Sequence, residues 1–165
     1  FIEDNYLAVY PQCNVWSSDW ISFFRDNRLQ VQLDISEEKG LLNKIRREKL
    51  DRLMDHLEEY LPVSPKSSLL HGDLWNGNAF IAVSGEPVFI DPAVSYGDHE
   101  VDLAMTELFG GFSARFYDAY QEIKPISKQY QDRKPIYQLY YLLVHLNYYG
   151  EAYGQQVDAI LDCYI

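Results

Sequence analysis

Asp73, Asn78 and Asp91 carry oxygen-bearing side chains at offsets of 0, 5 and 18, in the stretches His71-Gly72-Asp73-Leu74-Trp75-Asn76-Gly77-Asn78 and Phe89-Ile90-Asp91-Pro92. Phosphoryl transfer to a hydroxyl needs this set of groups. A first carboxylate orients the attacking hydroxyl and takes its proton, while an Asn and a second carboxylate hold Mg²⁺ against the phosphates of ATP. Asn78 offers a neutral carbonyl oxygen and Asp91 an anionic one, hard ligands that suit an octahedral Mg²⁺ completed by phosphate oxygens and water. Each residue also has a structural reading: Asp73 as a turn former after Gly72, and Asn78 and Asp91 as hairpin caps. The joint spacing favours the chemical reading.

The elements around these residues must bring them together. Ala79 to Val83 and Pro87 to Asp91, joined by Ser84-Gly85-Glu86, have the length and turn chemistry of a β-hairpin. Such a hairpin would bring Asn78, at the entrance of its first strand, to the same end as Asp91 at the exit of its second. Ser68 to His71 forms a short apolar approach after Pro62 and Pro65. Upstream, residues 5 to 16 read as irregular, and a first helix should begin near Ser17 or Ser18, with Trp20, Phe23 and Phe24 on one face. A longer helix is expected from after Ser36 to about Tyr60, on the periodicity of Leu42, Ile45, Leu50, Leu53, Met54, Leu57 and Leu61. Its charged positions, Arg46 to Arg52, read as a solvated face. Downstream, one helix should run from Glu100 to Gly110-Gly111 and another from Phe112 to Ile123. Helical tail segments, 136–150 and 155–164, should turn their tyrosine rings inward.

The fold class expected is mainly α with a small β-hairpin, in a single domain over residues 1–165 with enough apolar content, 47%, to bury a core. A net charge of −11 argues against nonspecific binding to nucleic acid or to an anionic membrane, both of which need clustered Lys and Arg. No stretch approaches the roughly 18 apolar residues of a membrane span, and the start, Phe1-Ile2-Glu3-Asp4, does not resemble a signal peptide. Cys13 and Cys163 lack CxxC spacing, as expected of reduced thiols in a cytoplasmic protein. Neither a GxxxxGK[ST] nor a GxGxxG phosphate loop is present, and the missing initiator Met suggests a piece of a longer chain.

Further residues take supporting roles. His71 should brace the loop, since Asp73 already fills the role of base. Trp75 could stack on a sugar or aryl group or act as a packing lid. Phe80 and Ile90 suit the floor of an adenine site or the plain core. Asp98, Glu100 and Asp102 cluster at a helix start, where the helix dipole favours negative charge; alternatively Asp102 ties down the loop backbone while Asp98 or Glu100 faces the acceptor. Gly72 stands where protein kinases commonly carry an Arg that meets an activation-loop phosphate, and only eight residues separate Asp91 from Glu100. The acceptor should therefore be small or protruding.

HGDLWNGN followed by FIDPAVSYGDHEVDLAMTELFGGF resembles the fructosamine kinase (ketosamine 3-kinase) family, within the aminoglycoside phosphotransferase branch of protein-kinase-like folds. DNYLAVYPQCNVWSSDWISFFRDNRLQVQL extends the resemblance over almost the whole chain. The HGDxxxxN and IDP motifs are shared with choline and aminoglycoside kinases, whereas the Trp75 loop and DLAMTELFGGF narrow the match. The resemblance implies the C-terminal lobe of a kinase-like fold and ATP-dependent phosphorylation of the sugar 3-hydroxyl of free or protein-bound ketosamines, marking them for breakdown. It implies Asp73 as base and Asn78 and Asp91 as magnesium ligands. It also implies an N-terminal lobe with a phosphate-covering loop, a strand Lys paired with a helix Glu, and an adenine-binding hinge. None of these is recognisable here, so the chain alone is expected to be inactive. Three rivals remain: a non-catalytic kinase-like module that binds a nucleotide or a partner, another small-molecule kinase of the aminoglycoside or choline kinase type, and a metal-dependent phosphoesterase built on Gly72-Asp73-Leu74-Trp75-Asn76, for which His56, His99 and His145 show no completing spacing.

Overall fold

The computed structural model describes residues 3–164, so Phe1 and Ile2, which belong to the start read above as unlike a signal peptide, lie outside the described residues. The chain opens with a hairpin of β1 (Asn5–Leu7) and β2 (Tyr10–Gln12), where the sequence suggested irregular backbone. Strands of three residues with a central Pro11 have too little periodicity to be read locally. They are held instead by tertiary bonds, from Asn5 Nδ2 to the Val94 carbonyl (2.7 Å) and from Gln12 Nε2 to the Ala93 carbonyl (3.0 Å).

Helix α1 (Trp20–Phe24) starts just after the Ser pair because Asp19 is its N-cap, accepting from the Ile21 and Ser22 amides at 3.0 and 3.3 Å. Trp20, Phe23 and Phe24 do share a buried face. A π-helical segment (Arg25–Leu29) continues into α2 (Gln30–Glu38). The expected single helix from Ser36 to Tyr60 is corrected here: Gly40, at φ +68°, ends α2. The Leu41 amide bonds to the Ser36 carbonyl and the Gly40 amide to the Glu37 carbonyl, a Schellman closure that hydrophobic periodicity does not reveal. Asn43 then caps a new helix, α3 (Lys44–Asp55), by accepting from the Arg46 amide at 2.9 Å. Leu50, Leu53, Met54, Leu57 and Leu61 are buried as their spacing suggests, whereas Ile45 is exposed.

Strand β3 (Ser68–Leu70) pairs antiparallel with β6 (Ser95–Gly97), so the segment from His71 to Val94 is closed at its base. Inside that closure, β4 (Ala79–Ile81) and β5 (Pro87–Phe89) form the expected hairpin, with Ala79 opposite Phe89. The helices α4 (Glu100–Leu108) and α5 (Ala114–Ile123) follow. Helix α6 (Tyr130–Tyr149) begins earlier than expected, and a 3₁₀ turn (Gly150–Tyr153) leads into α7 (Gly154–Leu161). Helix α6 runs through the core: Ile136, Leu139, Leu143 and Leu146 are fully buried, and α4, α2 and α7 pack around it. Tyr137 and Tyr140 bury their rings and spend their hydroxyls on Asp98 (2.7 Å) and Gln12 (3.0 Å), as a buried phenol requires. No helix among the described residues is long and apolar enough to cross a membrane.

The charged face of α3 is solvated except at Arg46, which is 2% exposed. Its guanidinium donates to Asp158 (2.8 and 3.0 Å), to Glu151 (2.7 and 3.1 Å) and to the Leu41 carbonyl (2.6 Å), joining α3 to α7. Both carboxylates remain largely exposed and can return to water, so removing the Arg strands no buried charge. Arg46→Met should therefore lower unfolding stability by about 1–3 kcal/mol, the worth of the lost charged hydrogen bonds. A urea unfolding midpoint equal to that of the parent would contradict this role.

Candidate active site

Two features of the backbone shape the loop from His71 to Asn78. Gly72 has φ +82°, and a Cβ there would lie 1.9 Å from the Ala93 carbonyl oxygen, so this loop and the segment after Asp91 approach closer than any side chain allows. Beneath the loop, the half-buried Asp102 carboxylate accepts from the His71 amide (2.7 Å) and the Gly72 amide (2.9 Å). Burial pushes the Asp102 carboxyl upward from its ordinary value, opposed by those two amide bonds.

Asp73 follows directly. Its backbone amide faces His71 Nδ1 at 3.3 Å, and His71 Nε2 lies 3.0 Å from the Ile90 carbonyl, so an imidazole with its proton on Nε2 links the His71–Asn78 loop to the residue preceding Asp91. The edge of the same ring meets Phe89. Asn78 is 6% exposed, and its Nδ2 donates to the Asp73 carbonyl (2.9 Å) and to Asp73 Oδ2 (3.2 Å). These bonds orient the amide: Oδ1 is left as the oxygen that can meet a cation, and Asp73 Oδ1 as the oxygen that can meet a hydroxyl.

The Ile90 amide bonds to the Asn78 carbonyl at 3.0 Å, fastening the entrance of β4 to the exit of β5. Asp91 follows at φ +53°, a left-handed conformation that Asp tolerates better than most residues, and its side chain is exposed. Its charge reaches Asp73. Burial first, with a smaller contribution from the Asp91 carboxylate, pushes the Asp73 carboxyl above its ordinary value, while the Asn78 bond opposes the shift. Two hard oxygen donors fit a magnesium ion that shares its shell with phosphate. Among the described residues no cluster of three or more His, Cys, Asp or Glu forms a complete protein cage, so the remaining ligands of such an ion would be phosphate oxygens and water.

Trp75 lies flat over Gly77, where a Cβ would come within 2.3 Å of the indole, and its edge meets Phe109 at 6.5 Å. With Asp73 it lines a cavity of about 550 Å³. Phe80 and Ile90 are 48% and 39% exposed, so neither belongs to the core. Phe80 stands opposite Val88 and shares a hairpin face with Ile90.

The expectation that Asp98 or Glu100 faces the acceptor is corrected. Asp98 is 3% exposed and accepts from the Tyr137 hydroxyl; Glu100 is 2% exposed, pairs with Arg133 (3.1 Å) and accepts from the Ser127 amide (2.8 Å). Neither lines the cavity that holds Asp73. Their spacing at a helix start looked the same as that of Asp102, and only packing against α6 separates the roles. Sequence reading also missed the steric demand at Gly72, the amide tethers from Asn5 and Gln12, and the aromatic residues in the cavity, Phe109 after α4 and those of α6. Of these, only the left-handed turn implied by a Gly before the reactive Asp left a local signal. His56, His99 and His145 have separate partners, respectively the Arg52 carbonyl, Tyr120 and the Tyr141 carbonyl.

The family model described as "Fructosamine kinase" matches residues 1–165. The chain is 51% identical over 163 residues to the "Probable ketoamine kinase" of Enterococcus faecium, covering 98% of this chain and 59% of that protein. A crystal structure of a "putative fructosamine-3-kinase" from Thermobifida fusca superposes with a TM-score of 0.88 at 33% identity, over 96% of this chain and 55% of that one. Choline kinase LicA from Streptococcus pneumoniae, at 16% identity and a TM-score of 0.59 over 85% of this chain and 55% of its own, shares the fold alone. The chain thus has a kinase-like fold, mainly α with three small antiparallel sheets where one hairpin was expected, and spans about half the length of the relatives it matches.

Glycine substitutions can test the close approach at Gly72. Gly40 also has a positive φ but open space around it, so Gly40→Ala should cost about 1–2 kcal/mol of backbone strain. Gly72→Ala adds a backbone clash and should cost at least about 2 kcal/mol more. Equal denaturation midpoints for the two variants would show that the loop does not rest on Ala93.

Proposed function

The chain belongs to the fructosamine kinase family, and from that premise we propose that it carries the acceptor- and metal-binding part of an ATP-dependent kinase that phosphorylates the sugar 3-hydroxyl of ketosamines. One observation carries the reading: Asp73, hydrogen-bonded to Asn78 and within the electrostatic reach of Asp91, opens onto a cavity large enough for a small glycated amine. Phosphorylation at that hydroxyl would mark the adduct for spontaneous breakdown, making the activity a deglycation.

In this mechanism Asp73 Oδ1 accepts the hydrogen bond of the acceptor hydroxyl, aligns its oxygen for attack and takes the proton as the phosphoryl group transfers. Asn78 keeps the carboxylate in one orientation through Oδ2, and Asp102 keeps the loop backbone beneath it still. Asn78 Oδ1 and Asp91 are the residues that would hold Mg²⁺, which when bound supplies charge neutralisation on the phosphates. The exposed hairpin face with Phe80 and Ile90 suits the floor of an adenine site. Trp75 at the cavity wall suits contact with the acceptor. A phosphate clamp is not recognisable in the sequence, so the proposal takes it from outside these 165 residues, in a kinase N-terminal lobe, and the chain by itself is expected to give no turnover with ATP and a fructosamine. A cytoplasmic setting belongs to the same proposal, supported by Cys13 and Cys163 being free thiols.

Asp73→Asn in the full-length protein should lower kcat by about 10²-fold to 10⁴-fold, the range of a positioned base, and a loss of threefold or less would refute the role. Retained magnesium-dependent nucleotide binding in the parent, with no transfer to any ketosamine, would favour a non-catalytic module. Because the folded-state value of Asp73 is raised, chiefly by burial, the acidic limb of kcat/KM should lie above the value of an ordinary aspartate. The linkage has a definite sign. Between the unfolded and folded values the native state holds more protons, so the contribution of Asp73 to stability is greatest at low pH and falls as pH rises through that window. Asp73→Asn should therefore unfold no more easily than the parent at neutral pH, while losing activity.

A further inference from the structure

Six of the seven rings that line the cavity beside Asp73 form a continuous series of contacts: Trp75 to Phe109 (6.5 Å), Phe109 to His145 (4.8 Å), His145 to Tyr153 (4.9 Å), Tyr153 to Tyr149 (5.6 Å) and Tyr149 to Tyr148 (4.7 Å). The series begins next to the reactive carboxylate and ends at the surface, where Tyr148 and Tyr149 are 52% and 59% exposed. Rings so exposed are not needed to fill the core. No Lys or Arg among the described residues lines the cavity, and Asp73 is the one acidic side chain there.

Resting on the assignment of Asp73 to a ketosamine 3-hydroxyl, we infer that this aromatic wall is the subsite for the amine portion of the acceptor and selects ketosamines of aryl-bearing amines over those of acidic amino acids. In a ketosamine the nitrogen sits on C1, two carbons from C3, so a hydroxyl held at Asp73 places the ammonium within a few ångströms and sends its substituent along the wall. The negative faces of the rings favour the ammonium, and an aryl substituent buries its own face against them. A carboxylate on the same substituent would lose water and gain no cation, with Asp73 nearby to repel it.

The test uses the full-length protein with glucose-derived ketosamines of benzylamine and of aspartate, which share the reacting sugar. kcat/KM for the benzylamine adduct should exceed that for the aspartate adduct at least about tenfold, the scale of an aryl and cation contact set against an uncompensated charge. Tyr148→Ala and Tyr149→Ala, at exposed positions whose truncation leaves the core filled, should raise KM for the benzylamine adduct and narrow that ratio. A ratio within threefold, or one unchanged in both variants, would overturn the inference and leave the phosphorylation assignment standing. Turnover of neither adduct, nor of any other ketosamine, would overturn the assignment itself and the subsite with it.

Discussion

The site depends on one half-buried carboxylate. Asp102, on the first turn of α4, accepts the backbone amides of His71 and Gly72 with its two oxygens, and so fixes the direction in which the next residue leaves the loop. A carboxylate taken out of water is costly unless its lone pairs are met, and here both oxygens meet amide donors that would otherwise be unpaired beneath a left-handed turn. That turn needs glycine on two counts, its φ and its contact with Ala93, so helix, loop and the segment after Asp91 hold one another in place.

The Ala93 and Val94 carbonyls extend the constraint to the chain start. Gln12 donates to the first and accepts from Tyr140 of α6, while Asn5 and Asn14 donate to the second at 2.7 and 3.2 Å. These three amide side chains join the β1–β2 hairpin to the segment that follows Asp91. The turn of that hairpin, Leu7 to Val9, lines the cavity holding Asp73. A wall of the proposed acceptor site and a side of the proposed metal site are thus positioned through the same hydrogen bonds, a coupling that short exposed strands could not supply by themselves.

Asp73 itself is placed at an energetic disadvantage. Its desolvation raises the proton affinity of the carboxylate, which a base needs, and weakens the case for burying it, which stability resists. Asn78 moderates both effects with one amide group whose oxygen is the one proposed to meet a metal. Stability comes from elsewhere, chiefly the packing around α6 and the junction of α3 with α7 at Arg46.

Asp73, Asn78, Asp91 and the β4–β5 hairpin between them could be read from the chain because spacing and turn chemistry are local: a short loop at Ser84-Gly85-Glu86 brings the hairpin ends together whatever else the protein does. The buried faces of α1, α3 and α4 were legible for the same reason, since helical periodicity is written residue by residue. The break at Gly40, the burial of Arg46, the β1–β2 hairpin and the difference between Asp102 and its neighbours Asp98 and Glu100 were not. The last three depend on partners distant in the sequence, a carboxylate on α7, a carbonyl after Asp91 and a tyrosine on α6, and the first on a left-handed closure that apolar periodicity does not mark. The sequence by itself determined which chemical groups were available and at what local spacing. The tertiary structure alone decided which carboxylates would be spent on structure and which left free to react, because that choice is made by desolvation and by hydrogen-bond partners that only the packed chain brings within reach.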